Sequence, residues 1–241
     1  MTWSLIELCE AGRVPDFLLR WGIRRQLRSR LRQEESRQAN DPDPQAELAH
    51  SLSQGPMVAD TGEANRQHYE VPTEFFRRVL GKHLKYSSGY WATPQTTLDE
   101  AEASMLDLTV ERAEIQDGQR VLELGSGWGS LTLWLADRFP ESTITAISNS
   151  RTQREFIESE LARRGHRHVR VVTANIADFE PTMRYNRVVS VEMLEHIRNH
   201  QLLLRRVRKW LDPEGKLFVH IFCHRQLTYL FESEGDESWM G

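Results

Sequence analysis

Cysteine is almost absent from this 241-residue chain: only Cys9 and Cys223 occur, far apart and outside any CxxC pattern. That argues against a disulfide framework and against a cysteine-based zinc site, and a reducing, cytoplasmic setting is expected. No run of about 18 apolar residues occurs, so no integral membrane segment is expected. The N-terminal stretch MTWSLIELCEAGRVPDFLL lacks a basic region ahead of a long apolar one, which argues against a secretory leader. A strong excess of either charge is missing as well. With a formal net charge of −4, 39% hydrophobic and 27% charged residues, the composition is that of an ordinary globular protein, and no nucleic-acid partner is expected.

Charge is nevertheless uneven along the chain. Arg13, Arg20, Arg24, Arg25, Arg28, Arg30, Arg32 and Arg37 make the N-terminal segment strongly basic. Such a segment could meet a phosphate or an anionic membrane surface, so peripheral membrane contact stays open. The plainer reading is a solvated helix face with Leu27 and Leu31 turned inward, and it is preferred. Apolar spacing over residues 3–37, broken by Gly12 and Pro15, predicts two amphipathic helices. Residues 41–67 turn polar, with Pro42, Pro44, Gly55, Pro56 and Gly62, so residues 1–67 read as a helical extension and linker. A second segment, 68–118, is aromatic-rich in HYEVPTEFFRRVLGKHLKYSSGYW. It carries a helix after Pro72 and another capped near Thr97.

After Gly118 the period changes, and residues 119–241 read as the core. Buried-strand candidates at 120–124, 143–148, 169–174, 187–191 and 216–222 are separated by helical patterns. The alternation predicts an α/β fold: a parallel sheet with helices on both faces.

In such a sheet, ligands bind beyond the carboxyl ends of the strands, and the first such turn is ELGSGWG. Gly125, Gly127 and Gly129 let backbone amides approach a ligand, and the next helix offers its N-terminus. A dinucleotide fingerprint GxGxxG would need glycine at position 130, where Ser130 stands, which disfavours a nicotinamide-dependent oxidoreductase. Spacing alone also permits a purely structural tight turn. A second cluster closes the fourth strand candidate in VVSVEMLEHIRNH. Spacings of three and four would set Glu192, Glu195 and His196 on one face of a helical turn beginning there. A carboxylate beside a histidine can orient an amine and give its proton an exit, although the same groups also serve as caps or buried partners. His196 and His200 are four apart, but HExxH is missing and no third ligand is evident, so no metal is expected.

The stretch VLELGSGWGSLTLWLA resembles motif I of class I S-adenosylmethionine-dependent methyltransferases. HYEVPTEFF, LKYSSGYW, TLDEAEASMLDL, ISNSRTQREFIE, VEMLEHIRNH and KLFVHIFCH, in this order, are similar to coclaurine-type N-methyltransferases, relatives of the cyclopropane fatty acid synthases. The resemblance covers nearly the whole chain. It implies a Rossmann-like sheet and transfer of a methyl group to the nitrogen of a small alkaloid-like amine. It further implies Glu70, Glu195 and His196 as catalytic residues, and Tyr69, Tyr90 and Trp91 around the acceptor, where aromatic walls suit a cation. For the cofactor it implies Tyr86, Ser87, Glu123, Gly125, Ser126, Gly127, Asn149, Gln153, Asn175, Ile176 and Glu192. Asn175 stands where the family commonly has aspartate, and Ser88 where the cyclopropane synthases use cysteine, which with HYE instead of HYD leans toward amine methylation. Action on lipid, or cofactor binding without turnover, are the alternatives, and a homodimer is left open. The resemblance also leads one to expect two further strands as an antiparallel hairpin. No segment after position 222 reads as either, so a shortened member with an incomplete sheet is expected.

Overall fold

A computed structural model describes residues 5–40, 43–58, 73–225 and 227. The chain forms two compact units, of which one contains the N-terminal helices and the other spans Leu52–Phe222.

In the first unit, α1 (Leu5–Glu10) and α2 (Asp16–Asn40) flank a turn in which Gly12 takes φ +65°. This is the predicted break at Gly12 and Pro15. On α2, Arg20 pairs with Asp16 at 3.2 Å and Arg30 with Glu34 at 2.9 Å, both one turn apart. Leu27 and Leu31 do not turn inward as expected: they are 51% and 43% exposed. The reason is visible in the pattern: Phe17, Trp21, Leu27 and Leu31 fall on one side of the helix, but Arg24 and Arg28 stand between them on that same side and interrupt the apolar stripe. A third helix, α3 (Pro44–Gln54), occupies part of the stretch read as linker.

The larger unit begins at Leu52, earlier than the boundary expected near position 67. The physical cause is Asn199, which is buried and donates from Nδ2 to the carbonyls of Ser53 (2.7 Å) and Gly55 (3.0 Å). Arg198 N–H adds a bond to Met57 O at 2.9 Å, and Met57 packs with Leu194 and Ile197. After α4 (Thr73–Val79) comes α5 (Leu98–Arg112), whose N-cap is the predicted Thr97. Its hydroxyl accepts from Glu100 N–H, while the Glu100 carboxylate accepts from Thr97 N–H, a complete capping box.

The core alternates β1 (Arg120–Leu124), α6 (Ser130–Arg138), β2 (Thr143–Ser148), α7 (Arg151–Arg164), β3 (Val169–Thr173), β4 (Tyr185–Val191), a single 3-10 turn (Leu194–His196), α8 (His200–Trp210) and β5 (Leu211–His220). The five strands form one parallel sheet in the order β3-β2-β1-β4-β5. Both faces of β1 and its neighbours are covered, which explains their near-continuous apolar sequences. Leu122, Leu124 and Val188 pack with Leu203, Val207 and Trp210 of α8, whereas Val121, Ile144 and Val189 pack with α5 and α6. β5 departs from the expected 216–222. It pairs Leu211 with Tyr185, then shifts register so that Lys216 meets Arg187. The intervening DPEG forms an irregularity, at which a Cβ on Gly215 would lie 2.8 Å from Tyr185 O, so only glycine fits.

Candidate active site

Because all five strands run parallel, the turns after β1, β2, β3 and β4 share one edge of the sheet. The glycine turn there is built from three left-handed residues, Gly125 (φ +84°), Gly127 (φ +50°) and Gly129 (φ +80°). The amides of Gly125 and Ser126 both donate to Ile147 O at 3.1 and 2.8 Å, which fastens the turn to the end of β2. A Cβ on Gly125 would lie 2.9 Å from the Met193 side chain, so the turn is packed directly against the segment following β4. Gly127 differs, with open space where a side chain would project. Beside it the buried Ser126 hydroxyl has no partner among the described residues.

Glu123, one residue before the end of β1, lies inside this construction. Its carboxylate is buried and accepts a 2.5 Å bond from Thr132 Oγ1 on α6. Burial pushes its pKa up to about 7 despite the Thr132 bond, which pulls the other way.

The segment after β4 divides the predicted trio. Glu195 and His196 share the 3-10 turn, but Glu192 precedes it with φ +50°, so the three do not share one helical face. Glu192 N–H donates to His220 O at 2.8 Å, extending the β4–β5 ladder by one bond before the chain turns. Its carboxylate accepts from the hydroxyls of both Ser87 and Ser88, and Ser88 itself has φ +56°. Two left-handed non-glycine residues joined by their side chains are strain that the surrounding bonds must hold, at about 1–3 kcal/mol each. Burial pushes the Glu192 carboxyl up, but the two serine bonds and the charges of Lys85 and His220 outweigh it and hold the pKa below the usual range. Lys85 is itself buried, and burial lowers its pKa against the opposing charges of Glu192 and Glu102.

Glu195 Oε1 accepts from Phe222 N–H, while Oε2 is buried and has no partner among the described residues. His196 is exposed. His200 turns back, with Nε2 3.0 Å from Leu194 O, so it supports the turn that carries Glu195 and His196. The segment bearing Ser87 and Ser88 is positioned from α5: buried Glu102 accepts from the amides of Gly81 (2.9 Å) and His83 (2.8 Å), and Asp99 from that of Lys82 (2.8 Å).

Asn149 follows β2 and Asn175 and Ile176 follow β3, on the same edge; Asn175 Oδ1 caps a local turn at Ala177 N (2.9 Å), and Ile176 packs on the core. Gln153 is buried on α7 and accepts from Ser148 Oγ at 2.8 Å. The Tyr86 ring lies 5.6 Å from that of Phe76 and is largely exposed, while Tyr90 N–H is held by Ala101 O at 2.9 Å, with Trp91 beside it. Tyr69 and Glu70 lie outside the described residues. Lys85, Thr132, Asn199 and His220 were not anticipated from the sequence. Only His220 carried a usable signal, being a histidine at the carboxyl end of an apolar strand run.

A parallel sheet in this order, with a glycine turn after its first strand, is the Rossmann-like fold of class I methyltransferases. Solved structures agree, among them a coclaurine N-methyltransferase bound to N-methylheliamine and SAH, with TM-score 0.87 and 39% identity over 98% of this chain and 68% of that one. The chain belongs to the mycolic acid cyclopropane synthetase family, which it matches over residues 58–240. Among curated relatives, (S)-coclaurine N-methyltransferase of Thalictrum flavum subsp. glaucum is 39% identical over 98% of this chain and 66% of its own length. The cyclopropane-fatty-acyl-phospholipid synthase of Escherichia coli K12 is 27% identical over 64% of this chain. The chain thus spans about two thirds of the coclaurine-type relatives it matches. No helix among the described residues is long and apolar enough to cross a membrane.

Proposed function

We propose that the protein is a methyltransferase that moves the methyl group of S-adenosylmethionine onto the nitrogen of a small, partly aromatic amine, in a cytoplasmic setting. The observation that carries this reading is Glu195, with one oxygen fixed by Phe222 N–H and the other buried and unpartnered, on the strand edge it shares with the glycine turn. Its likeness to the coclaurine-type enzymes supports the same assignment.

The residues present fit the cofactor. Gly127 offers an open backbone approach, Ser126 an unpartnered hydroxyl, and Glu192 a carboxylate held in its ionised form. In this reading Gly125, Ser126 and Gly127 hold the methionine part with Tyr86 and Ser87 above it, Glu123 and Glu192 nearby, and Asn149, Gln153, Asn175 and Ile176 bordering ribose and adenine. When bound, S-adenosylmethionine supplies a methyl group on a sulfonium. An alkylammonium has no lone pair, so the chain's task is to hold the amine and take its proton. Glu195 Oε2 accepts the N–H, and exposed His196 passes the proton to solvent. Glu70 is proposed to join this pair, with Tyr69, Tyr90 and Trp91 against the cationic ring system. Most of the remaining acceleration comes from positioning.

The test is methyl transfer by the full chain to heliamine and coclaurine, with S-adenosylhomocysteine binding measured separately by calorimetry. Glu195→Gln and His196→Ala are expected to keep cofactor binding and to lose about 100-fold or more in transfer. Undiminished transfer in both variants would refute the assignment. Binding without transfer to any amine would favour a non-catalytic chain, and transfer to phospholipid vesicles would favour a lipid acceptor.

A further inference from the structure

At the opposite edge of the sheet, beneath the amino ends of β2 and β3, lies a cavity of about 380 Å³, lined on one side by the segment leading into β4. This is within the size range of small-molecule sites. The register pairs Thr145 with Arg170 and Ile144 with Val169, so His168 and Arg170 share the face of Thr143 and Thr145. That face is also where Phe179 and Tyr185 pack.

The basic run RRGHRHVR, residues 163–170, is divided by its partners. Arg163 pairs with Glu160 at 2.8 Å, and Arg164 and His166 both reach Asp137 at 2.6 Å. Arg167 and Arg170, which line the cavity, have no ion-pair partner among the described residues. His168, between them, has a buried Nε2 with no partner among the described residues. One carboxylate lines the cavity, that of Glu180, and it is already engaged by Arg206 (2.9 Å) and by Trp210 Nε1 (3.3 Å). Two arginines and a histidine thus line a space whose single acid is spoken for, while Phe179, Met183 and Tyr185 supply an apolar wall.

We propose that this cavity binds a small organic anion, a phosphate or carboxylate carried on an apolar body. Arg167 and Arg170 bind the oxyanion, His168 Nε2–H donates to it, and the apolar part rests against the Phe179–Tyr185 segment. The site stands apart from the methyl-transfer edge by the length of β2, about 17 Å at 3.3 Å per residue.

Calorimetry of the full chain, saturated with S-adenosylhomocysteine at low ionic strength, would use phenyl phosphate, benzoate and inorganic phosphate as probes. Phenyl phosphate is expected to bind more tightly than inorganic phosphate, because only it carries an apolar body. A preference for phenyl phosphate over benzoate marks a phosphate site, and the reverse order a carboxylate site. The pair Arg167→Gln and Arg170→Gln is expected to weaken binding about tenfold or more. A charge-matched pair on α8, Arg205→Gln and Arg208→Gln, should change it less than about twofold. His168→Ala, which leaves both arginines in place, should weaken binding about threefold or more. Absence of saturable binding to the parent chain, or equal losses in the two arginine pairs, would overturn the proposal.

Discussion

Replacing Glu123 by glutamine should make the protein more stable at alkaline pH, and by an amount the structure allows one to work out. The side chain stands on β1 between Ala146 of β2 and Val189 of β4, fully buried, with the Thr132 hydroxyl as its hydrogen-bond donor. Its pKa is about 7 in the fold against 4.5 for the free group. The folded state therefore binds this proton more tightly than the unfolded chain. Between pH 4.5 and about 7 the native state holds more protons, so this residue's contribution to stability falls as pH rises and is fully lost above about 7. At about 1.4 kcal/mol per pKa unit, the loss amounts to about 3 kcal/mol. Glutamine keeps the shape and an oxygen to accept from Thr132, but has no charge to bury. Urea unfolding of both chains between about pH 5 and pH 8 should show the variant gaining on the parent by about 2.5 kcal/mol across that range, the rest of the change lying below about pH 5. The depressed carboxyls of Glu114, Glu160 and Glu192 act in the other direction, giving stability that is lost as pH falls below 4.5, and they are common to both chains. A stability difference that stays flat with pH would refute the reasoning, since it would mean that ionising Glu123 costs nothing in this setting.

Gly125→Ala should cost stability twice, once for the left-handed φ of +84° and once for a Cβ 2.9 Å from Met193. Gly118→Ala, with φ +80° and open space around it, should carry only the first cost, about 1–2 kcal/mol. Thermal unfolding of both would therefore expose the Met193 contact as their difference. Glu102→Gln should lower stability by about 2 kcal/mol, because an amide cannot accept from both Gly81 N–H and His83 N–H as the carboxylate does. It should also weaken S-adenosylhomocysteine binding in calorimetry, since the turn it holds leads directly to Ser87 and Ser88.

The parts of this protein that were legible in its sequence share a physical cause. Strands β1, β2 and β4 are covered on both faces and so appear as apolar runs, and each ends in the glycines or polar residues that turn the chain. Thr97 announces its helix because the capping box needs only residues three apart. What was illegible depends on residues far apart in the chain. The last strand reads as beginning at position 216, yet Leu211, ahead of the DPEG segment, already pairs with Tyr185. The fate of Glu192 is the sharper case. Its spacing from Glu195 and His196 suits a helix face, but β4 does not release the chain at Val191: Glu192 N–H is still bonded to His220 O. The backbone must then leave the ladder at Glu192 itself, which it does through φ +50°. That conformation points the carboxylate at Ser87 and Ser88, more than a hundred positions earlier, and away from its near neighbours. Two hydroxyl donors to an ionised carboxylate contribute about 1.5–3 kcal/mol each, enough to offset the strain at Glu192 and Ser88. The left-handed backbone and the long-range bonds thus hold each other in place, and local spacing, which sees neither, can identify the right residues while missing how they are arranged.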